Sequence, residues 1–572
     1  MNCKMKKNPS IEKPWAQYYS FSLDEMKVPE CTLYQYLFNN CKNKESIALH
    51  YYGNDMTYSQ LFSLVDKAAK ALLQLGVKEN EQVPVFLQSV PEYIILLLGL
   101  EKIGACILCR DGNLEENVDA IKKANSNIVF THDFLSVEEE MAIYSETNVK
   151  HIIKISPTYF ATKDGLRPHI KKNINSLYKN RMNYINDMMW HEFIDLSKNY
   201  TKELPTYKNY HSPLLRAYTT GTTGEPKQVI HSAYSIIGIL CQIGMYVPSD
   251  ENHRITWMHT IQPPSLVAVV ITMILSPLSS NKLLILNPFC TPDTIDLEVM
   301  HFKPNCWALI PAFVSILVNS KRIPDDYDLS FAYGFGAGAE PINNKELRDI
   351  TNWMCKHNNN IPFTVGYGLS EAGSCCTMPC PKLTSVENCC YGIPLPLTTI
   401  GIFEPNTDKE LDYYELGEIC KTGAGNMIGY EDKEETKLVL REHSDGKIWL
   451  HTKDIGYLTP DGLLYVLNRG FTKHQNGENL FVLEMENKIV DVKGIKDAFF
   501  IVVPNKENKE FYLPYLYIVL EKGYSLKDIE NEIRSCLLPH EQPIEIHIIE
   551  KRPYFHFKTA RKILVNEILN RK

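Results

Sequence analysis

No long apolar run interrupts these 572 residues. The uncharged stretch Ser232 to Ser249 is short for a bilayer span and contains Ser, Gln and Pro, so a buried helix and loop are expected there and no membrane span. A secretory signal is lacking too: Met1 to Pro9 carries lysines, but no apolar core and small-residue cleavage site follow. Nor is there an excess of basic charge. With 60 Lys and Arg against 68 Asp and Glu the formal charge is −8, which leaves no electrostatic footprint for nucleic acid; a polyanionic substrate would need a local basic patch. Cys375, Cys376, Cys380, Cys389 and Cys390 crowd together without the C-x2-C pairing of a zinc ribbon, so buried or incidental thiols are expected. Sixteen cysteines without a secretory signal point to reduced thiols in a cytoplasmic protein.

What is present is globular. Hydrophobic residues make up 44% and charged residues 22%, in a chain too long for one ordinary domain. Ile47, Leu49 and Tyr51 alternate as a strand that ends in a Gly53-Asn54-Asp55 turn. Thr57 is placed to cap a helix whose apolar positions Leu61, Leu64, Val65, Ala68, Leu72 and Leu73 recur at helical spacing until Gly76. A strand from Val83 to Leu87 leads into a helix from Pro91 to Ile103. Further on come a helix over Ser232 to Tyr246, a short strand ending at Met258-His259-Thr260, a buried helix over Leu266 to Leu278, and strands at Leu284 to Leu286 and Trp307 to Pro311. This alternation predicts an α/β fold with a mostly parallel sheet covered on both faces, and ligands at the carboxyl ends of its strands. The Pro157 to Thr206 stretch reads as surface helix and loop without a repeat.

The densest chemistry lies in Tyr218-Thr219-Thr220-Gly221-Thr222-Thr223-Gly224-Glu225-Pro226-Lys227. Two glycines let the backbone turn its N–H groups toward one point, four threonines add hydroxyls, and Lys227 adds a charge, which together suit a phosphate. It is no Walker loop, because the lysine does not follow the second glycine. The stretch resembles the signature loop of the adenylate-forming superfamily, which includes acyl-CoA synthetases, luciferases and the adenylation domains of peptide synthetases. Thr220 and Gln228 depart from its usual serine and glycine.

Other motifs follow in that family's order. Gly336-Ala337-Gly338-Ala339-Glu340-Pro341 matches a segment that packs on adenine, and Tyr367-Gly368-Leu369-Ser370-Glu371 matches its Tyr-Gly-x-[Thr/Ser]-Glu. There the resemblance implies an aromatic cover for the purine, a hydroxyl for a phosphate oxygen, and in Glu371 a carboxylate for Mg2+. Gly417 to Gly423 and Met427-Ile428-Gly429-Tyr430 resemble further turns that carry little chemistry of their own. His451-Thr452-Lys453-Asp454-Ile455-Gly456 matches Thr-Gly-Asp-x-Gly with Lys453 in the glycine position, which gives Asp454 the ribose hydroxyls. Leu464 to Arg469 resembles the strand that ends the large domain, with Arg469 at the nucleotide and Phe471 where a hinge Asp or Lys is usual. Near the end, Phe557-Lys558-Thr559-Ala560-Arg561-Lys562-Ile563-Leu564 resembles the family's Thr-x-x-Gly-Lys-Ile loop, with Lys558 in the threonine position and Arg561 in the glycine position. The lysine of that loop, here Lys562, bridges the substrate carboxylate and α-phosphate. Lys551, Arg552, Lys558 and Arg561 are compositional candidates for the phosphates of coenzyme A.

The resemblance implies a large N-terminal domain over 1–470, with layered mostly parallel sheets and a small β-barrel-like subdomain, and a mobile α+β domain over 471–572. It implies a two-step acid–thiol ligase: a carboxylic acid and MgATP give acyl-AMP and pyrophosphate, and a thiol, coenzyme A first among candidates, displaces AMP. Thr222 of the loop, Glu371, His259 and Lys562 are the expected catalytic set. His259 stands where amino-acid activators carry Asp, which favours a neutral acid. The alternative expected from the lack of a carrier domain after Lys572 is a stand-alone enzyme that loads a separate carrier protein, and it shares the first step. A degraded nucleotide-binding homologue is the reading from another class, motivated by Phe471, Arg561 and a short segment after Arg469.

Overall fold

The computed structural model describes residues 8–178, 187–219, 226–244, 254–261, 264, 266–338, 340–379, 389–555 and 558–571. Local chemistry sets its first elements. Thr57 caps the Tyr58–Gln74 helix in a reciprocal box with Gln60, and the Pro91–Lys102 helix begins on proline, whose missing N–H costs nothing at that position. This second helix is apolar all round from Ile94 to Leu100 and buried along nearly its whole length.

Two large sheets form the N-terminal part. One has eight strands in the order Gly429–Tyr430, Gln228–Ser232, Pro213–Tyr218, Cys106–Cys109, Gln82–Phe86, Ile128–His132, His151–Ile155 and Met188–Met189. The other has seven, running Thr364–Val365, Gly334–Ala337, Cys306–Leu309, Thr256–His259, Leu283–Leu286, Ile47–Tyr51 and Asn54–Thr57. Pairing is parallel except at one end of each sheet. The parallel strands are buried on both faces, as the continuous apolar runs require.

A third sheet is antiparallel. Its strands Thr398–Phe403, Gly417–Gly423, Ile448–Leu458, Leu440–Glu442 and Leu464–Arg469 enclose a core of their own, with Ile400, Ile402, Ile419, Leu450 and Leu464. The smaller C-terminal part is α+β: strands Ile495–Pro504, Tyr512–Leu520 and Ile546–Ile548 carry the Val482–Ile489 and Leu526–Ser535 helices over Phe500, Leu516 and Ile533. It meets the N-terminal part along the Asn344–Lys356 helix. Asn344 N–H donates to Asn487 Oδ1 at 2.7 Å, Lys345 Nζ to the Ile495 carbonyl at 2.6 Å, and Arg348 pairs with Asp491.

The helix expected from Ser232 and the helix and loop expected over 157–206 are present, and the winding after Leu266 differs from the expectation. The helix after Gln228–Ser232 is described over Ala233–Gly244. The expected Leu266 to Leu278 helix is a π-helix over Val269–Leu275 followed by an α-turn, Ser276–Ser279. A segment apolar on every side has no periodicity to distinguish the two windings. The 157–206 stretch holds two short helices, Pro168–Leu177 and Trp190–Asp195. Among the described residues no helix is long and apolar enough to cross a membrane.

Candidate active site

A cavity of about 810 Å³ opens where the carboxyl ends of the seven-stranded sheet meet the antiparallel sheet. Drug-sized ligands occupy cavities of roughly 300–1,000 Å³. Thr219, Lys227, Gly338, Gly368, Ser370 and Glu371 all line it, as does Arg469.

The neck of the threonine loop is closed by its own ends: Thr219 N–H donates to the Lys227 carbonyl at 2.9 Å, and Lys227 N–H to Thr219 Oγ1 at 2.9 Å. Thr220, Gly221, Thr222, Thr223 and Gly224 lie outside the described residues, as does Ala339. Lys227 Nζ pairs with Glu435 and sits 5.1 Å above the Tyr430 ring.

Tyr430 also donates its hydroxyl to Glu371 Oε1 at 2.6 Å. The turn that carries it, chemically bare in the sequence, therefore holds both the candidate phosphate lysine and the candidate metal carboxylate. Tyrosine is common in such turns, and only the fold brings this one across to Glu371. Beside it, the Ser370 carbonyl lies 2.7 Å from His231 Nε2, whose Nδ1 meets Ser235. Burial pulls His231 down to about 4, so it is neutral and donates from Nε2. Gly368 permits a tight hairpin: a Cβ there would sit 1.8 Å from the Ser374 carbonyl oxygen.

Asp454 and Tyr367 form a buried pair behind this wall, with Tyr367 Oη donating to Asp454 Oδ2 at 2.6 Å. Burial raises the Asp454 carboxyl above its ordinary range, opposed by the charge of Arg469, its register partner on the next strand. Glu340 accepts the Thr559 N–H at 2.6 Å, which brings the C-terminal loop to the site. Lys562, three residues on, is exposed in the first turn of the Arg561–Leu569 helix and does not line the cavity. His259 ends its strand fully buried, and burial pulls it to about 3. Its neighbours Trp257 and Ile261 form the wall instead. Arg552 and Arg561 spend their charge internally, on Asp497 and Glu486.

His451, Thr452 and Lys453 lie on the same side as Arg469, and the opposite wall is mostly apolar. Trp257, Ile261, Val269, Met273, Trp307 and Leu309 contribute to it.

Two mostly parallel sheets, an antiparallel sheet and a smaller α+β part around one cavity make the fold of the adenylate-forming enzymes. The chain belongs to the AMP-binding enzyme family, whose profile matches residues 38–431. Over 98% of its length it is 25% identical to a long-chain-fatty-acid–CoA ligase of Bacillus subtilis (strain 168), covering 97% of that protein. Over 84% it is 24% identical to a 4-coumarate–CoA ligase of Vanilla planifolia, covering 82% of it. The fold matches that of the O-succinylbenzoate coenzyme A synthetase of Bacillus subtilis in complex with ATP and magnesium ion, with TM-score 0.69 and 18% identity over 92% of this chain and 98% of that one. This chain is thus an enzyme of the family, and the resemblance drawn from its loop holds.

Proposed function

We propose that this enzyme activates a neutral, apolar carboxylic acid with MgATP and passes the acyl group to the thiol of coenzyme A. One observation carries the reading: a single cavity joins a wall of Lys227, Glu371 and Arg469 to a wall with no charge at all. The first suits a nucleotide polyphosphate, the second an acid whose only charge is its reacting carboxylate.

The acid's carboxylate oxygen attacks the α-phosphorus and pyrophosphate leaves with its bond electrons. The thiolate sulfur then attacks the acyl carbonyl carbon and AMP leaves. Lys227 and the threonine loop bind the departing phosphates, and Asp454 orients the ribose hydroxyls. Gly338 and Glu340 flank the adenine, and Tyr367 buttresses Asp454. His259 stays neutral and adds no charge beneath the acid. Glu371 fits a magnesium ion: Tyr430 fixes one carboxylate oxygen, and hard oxygen donors are what that cation selects. A bound ion would offset charge on the phosphates.

Lys562 supplies a cation to the carboxylate and α-phosphate in the first step. To reach them it travels with the C-terminal domain, 471–572, about a hinge at Gly470-Phe471, where Gly470 has φ +77°. That motion parts Asn344, Lys345 and Arg348 from their partners.

The test is pyrophosphate release with MgATP across fatty, aryl, dicarboxylic and amino acids, with and without coenzyme A. Release confined to apolar monocarboxylic acids, with coenzyme A consumed and loss in Lys562→Ala, is expected. Release without coenzyme A consumption would redirect the acceptor to a carrier protein. No release from any acid would overturn the reading.

A further inference from the structure

Lys453 occupies a backbone position that ordinarily belongs to glycine. The Ile448–Leu458 strand is bulged against Gly417–Gly423: Cys420 pairs with His451 and Glu418 with Ile455, so Thr452, Lys453 and Asp454 oppose Ile419 alone. Bulges of this kind re-aim side chains beside functional sites. At the centre of this one Lys453 has φ +64°, the left-handed region where a Cβ crowds the backbone.

That conformation is held from both sides. Lys453 N–H donates to Glu418 Oε1 at 3.0 Å, and its carbonyl accepts Gly470 N–H at 2.8 Å. Glu418 is itself fixed: its Oε2 lies 3.0 Å from His451 Nδ1, and His451 Nε2 lies 2.9 Å from His443 Nε2. Non-glycine residues kept in this region by such surroundings cluster at ligand clamps. The Lys453 side chain is exposed and lines the cavity. Among the described residues no carboxylate lies within ion-pair distance of its ammonium, whereas Lys227 is paired with Glu435. Next to it in the chain, Asp454 stands opposite Arg469, a second cation of the same lining.

We propose that Lys453 is an anion contact of this site, its ammonium receiving a phosphate group of the nucleotide or of coenzyme A. The inference rests on the functional reading above, that both molecules enter the cavity. A lysine that merely tolerates its backbone would add strain and no affinity. A lysine that contacts phosphate adds both.

Two variants separate these cases. Lys453→Gln keeps the strained backbone without the charge, and Lys453→Gly removes both. Titration calorimetry with ATP and, separately, with coenzyme A should show one of the two bound about tenfold more weakly by both variants, the size of one charge-assisted contact open to water. The gap should close as NaCl is raised, a response that strain relief does not produce. Adenosine, which lacks phosphate, should bind all three proteins alike, and only Lys453→Gly should raise Tm. Weakening for ATP assigns the contact to the nucleotide; weakening for coenzyme A assigns it to the thiol substrate. Affinities for both equal to wild type in both variants overturn the proposal alone. Wild-type enzyme that binds neither overturns the functional reading and the proposal with it.

Discussion

The two walls of the cavity are built on opposite principles. The polar wall is held by hydrogen bonds and ion pairs: Glu371 has Tyr430, Lys227 has Glu435, the Ser370 carbonyl has His231, and behind it Asp454 has Tyr367. The apolar wall is held by packing alone, and the buried indole N–H groups of Trp257 and Trp307 have no hydrogen-bond partner among the described residues. Hydrogen bonds fix an atom's position, whereas packing fixes shape and volume and tolerates exchange. The chemistry of this site is therefore rigidly specified while its choice of acid stays open to revision.

The sharpest way to break that contrast is to remove charge from the polar wall without changing shape. Glu371→Gln keeps an acceptor for Tyr430 and loses the anion, so pyrophosphate release should fall about a thousandfold while Tm holds. Single-turnover release across a magnesium titration measures it; release near wild type would place the metal elsewhere. The converse change puts charge into the apolar wall. Met273→Lys should lower kcat/KM for apolar acids about a hundredfold, because an ammonium there loses water and gains no partner, and should raise it for a dicarboxylic acid. An unchanged acid profile would show that this face does not meet the acid. Tyr430→Phe is milder. It deletes one hydrogen bond to Glu371, and kcat should drop about tenfold with a higher magnesium requirement.

The same contrast explains what the sequence makes legible. Motif residues stand at fixed spacings, so the family resemblance points to Glu371, Arg469 and Lys227, which line the cavity, and to Asp454 behind them. Tyr430 cannot, because its role comes from a crossing between Gly429–Tyr430 and the Gln228–Ser232 strand of the eight-stranded sheet. His231 escapes notice for the same reason: its partner is 139 residues away. The apolar wall is legible only as burial. Val269 and Met273 face the cavity from a π-helical turn, and a uniformly apolar run carries no sign of which face will be empty. The fold's alternation of strands and helices is plain in the N-terminal part, where helix caps such as Thr57 are strong local signals.

The smallest effect compares a histidine of the site with one of the scaffold. His231 and His132 are both fully buried and both pulled by burial from 6.5 to about 4. Each is neutral when folded. His132 needs its lone pair, since Nε2 accepts the Gln88 N–H at 2.8 Å while Nδ1 meets the Ile155 carbonyl. Because the folded values are depressed, the unfolded chain binds more protons between about pH 6.5 and pH 4, and stability falls as pH drops through that window. His231→Gln keeps an N–H for the Ser370 carbonyl and removes the titration, as does His132→Gln for its own site. Each should flatten the acid limb of Tm against pH by a similar amount, because each shift is of similar size. Only His231→Gln should also move the acid limb of kcat, since protonated His231 disturbs the turn that presents Ser370 and Glu371. Equal movement of kcat in both variants would mean that the acid limb reports global unfolding rather than the site.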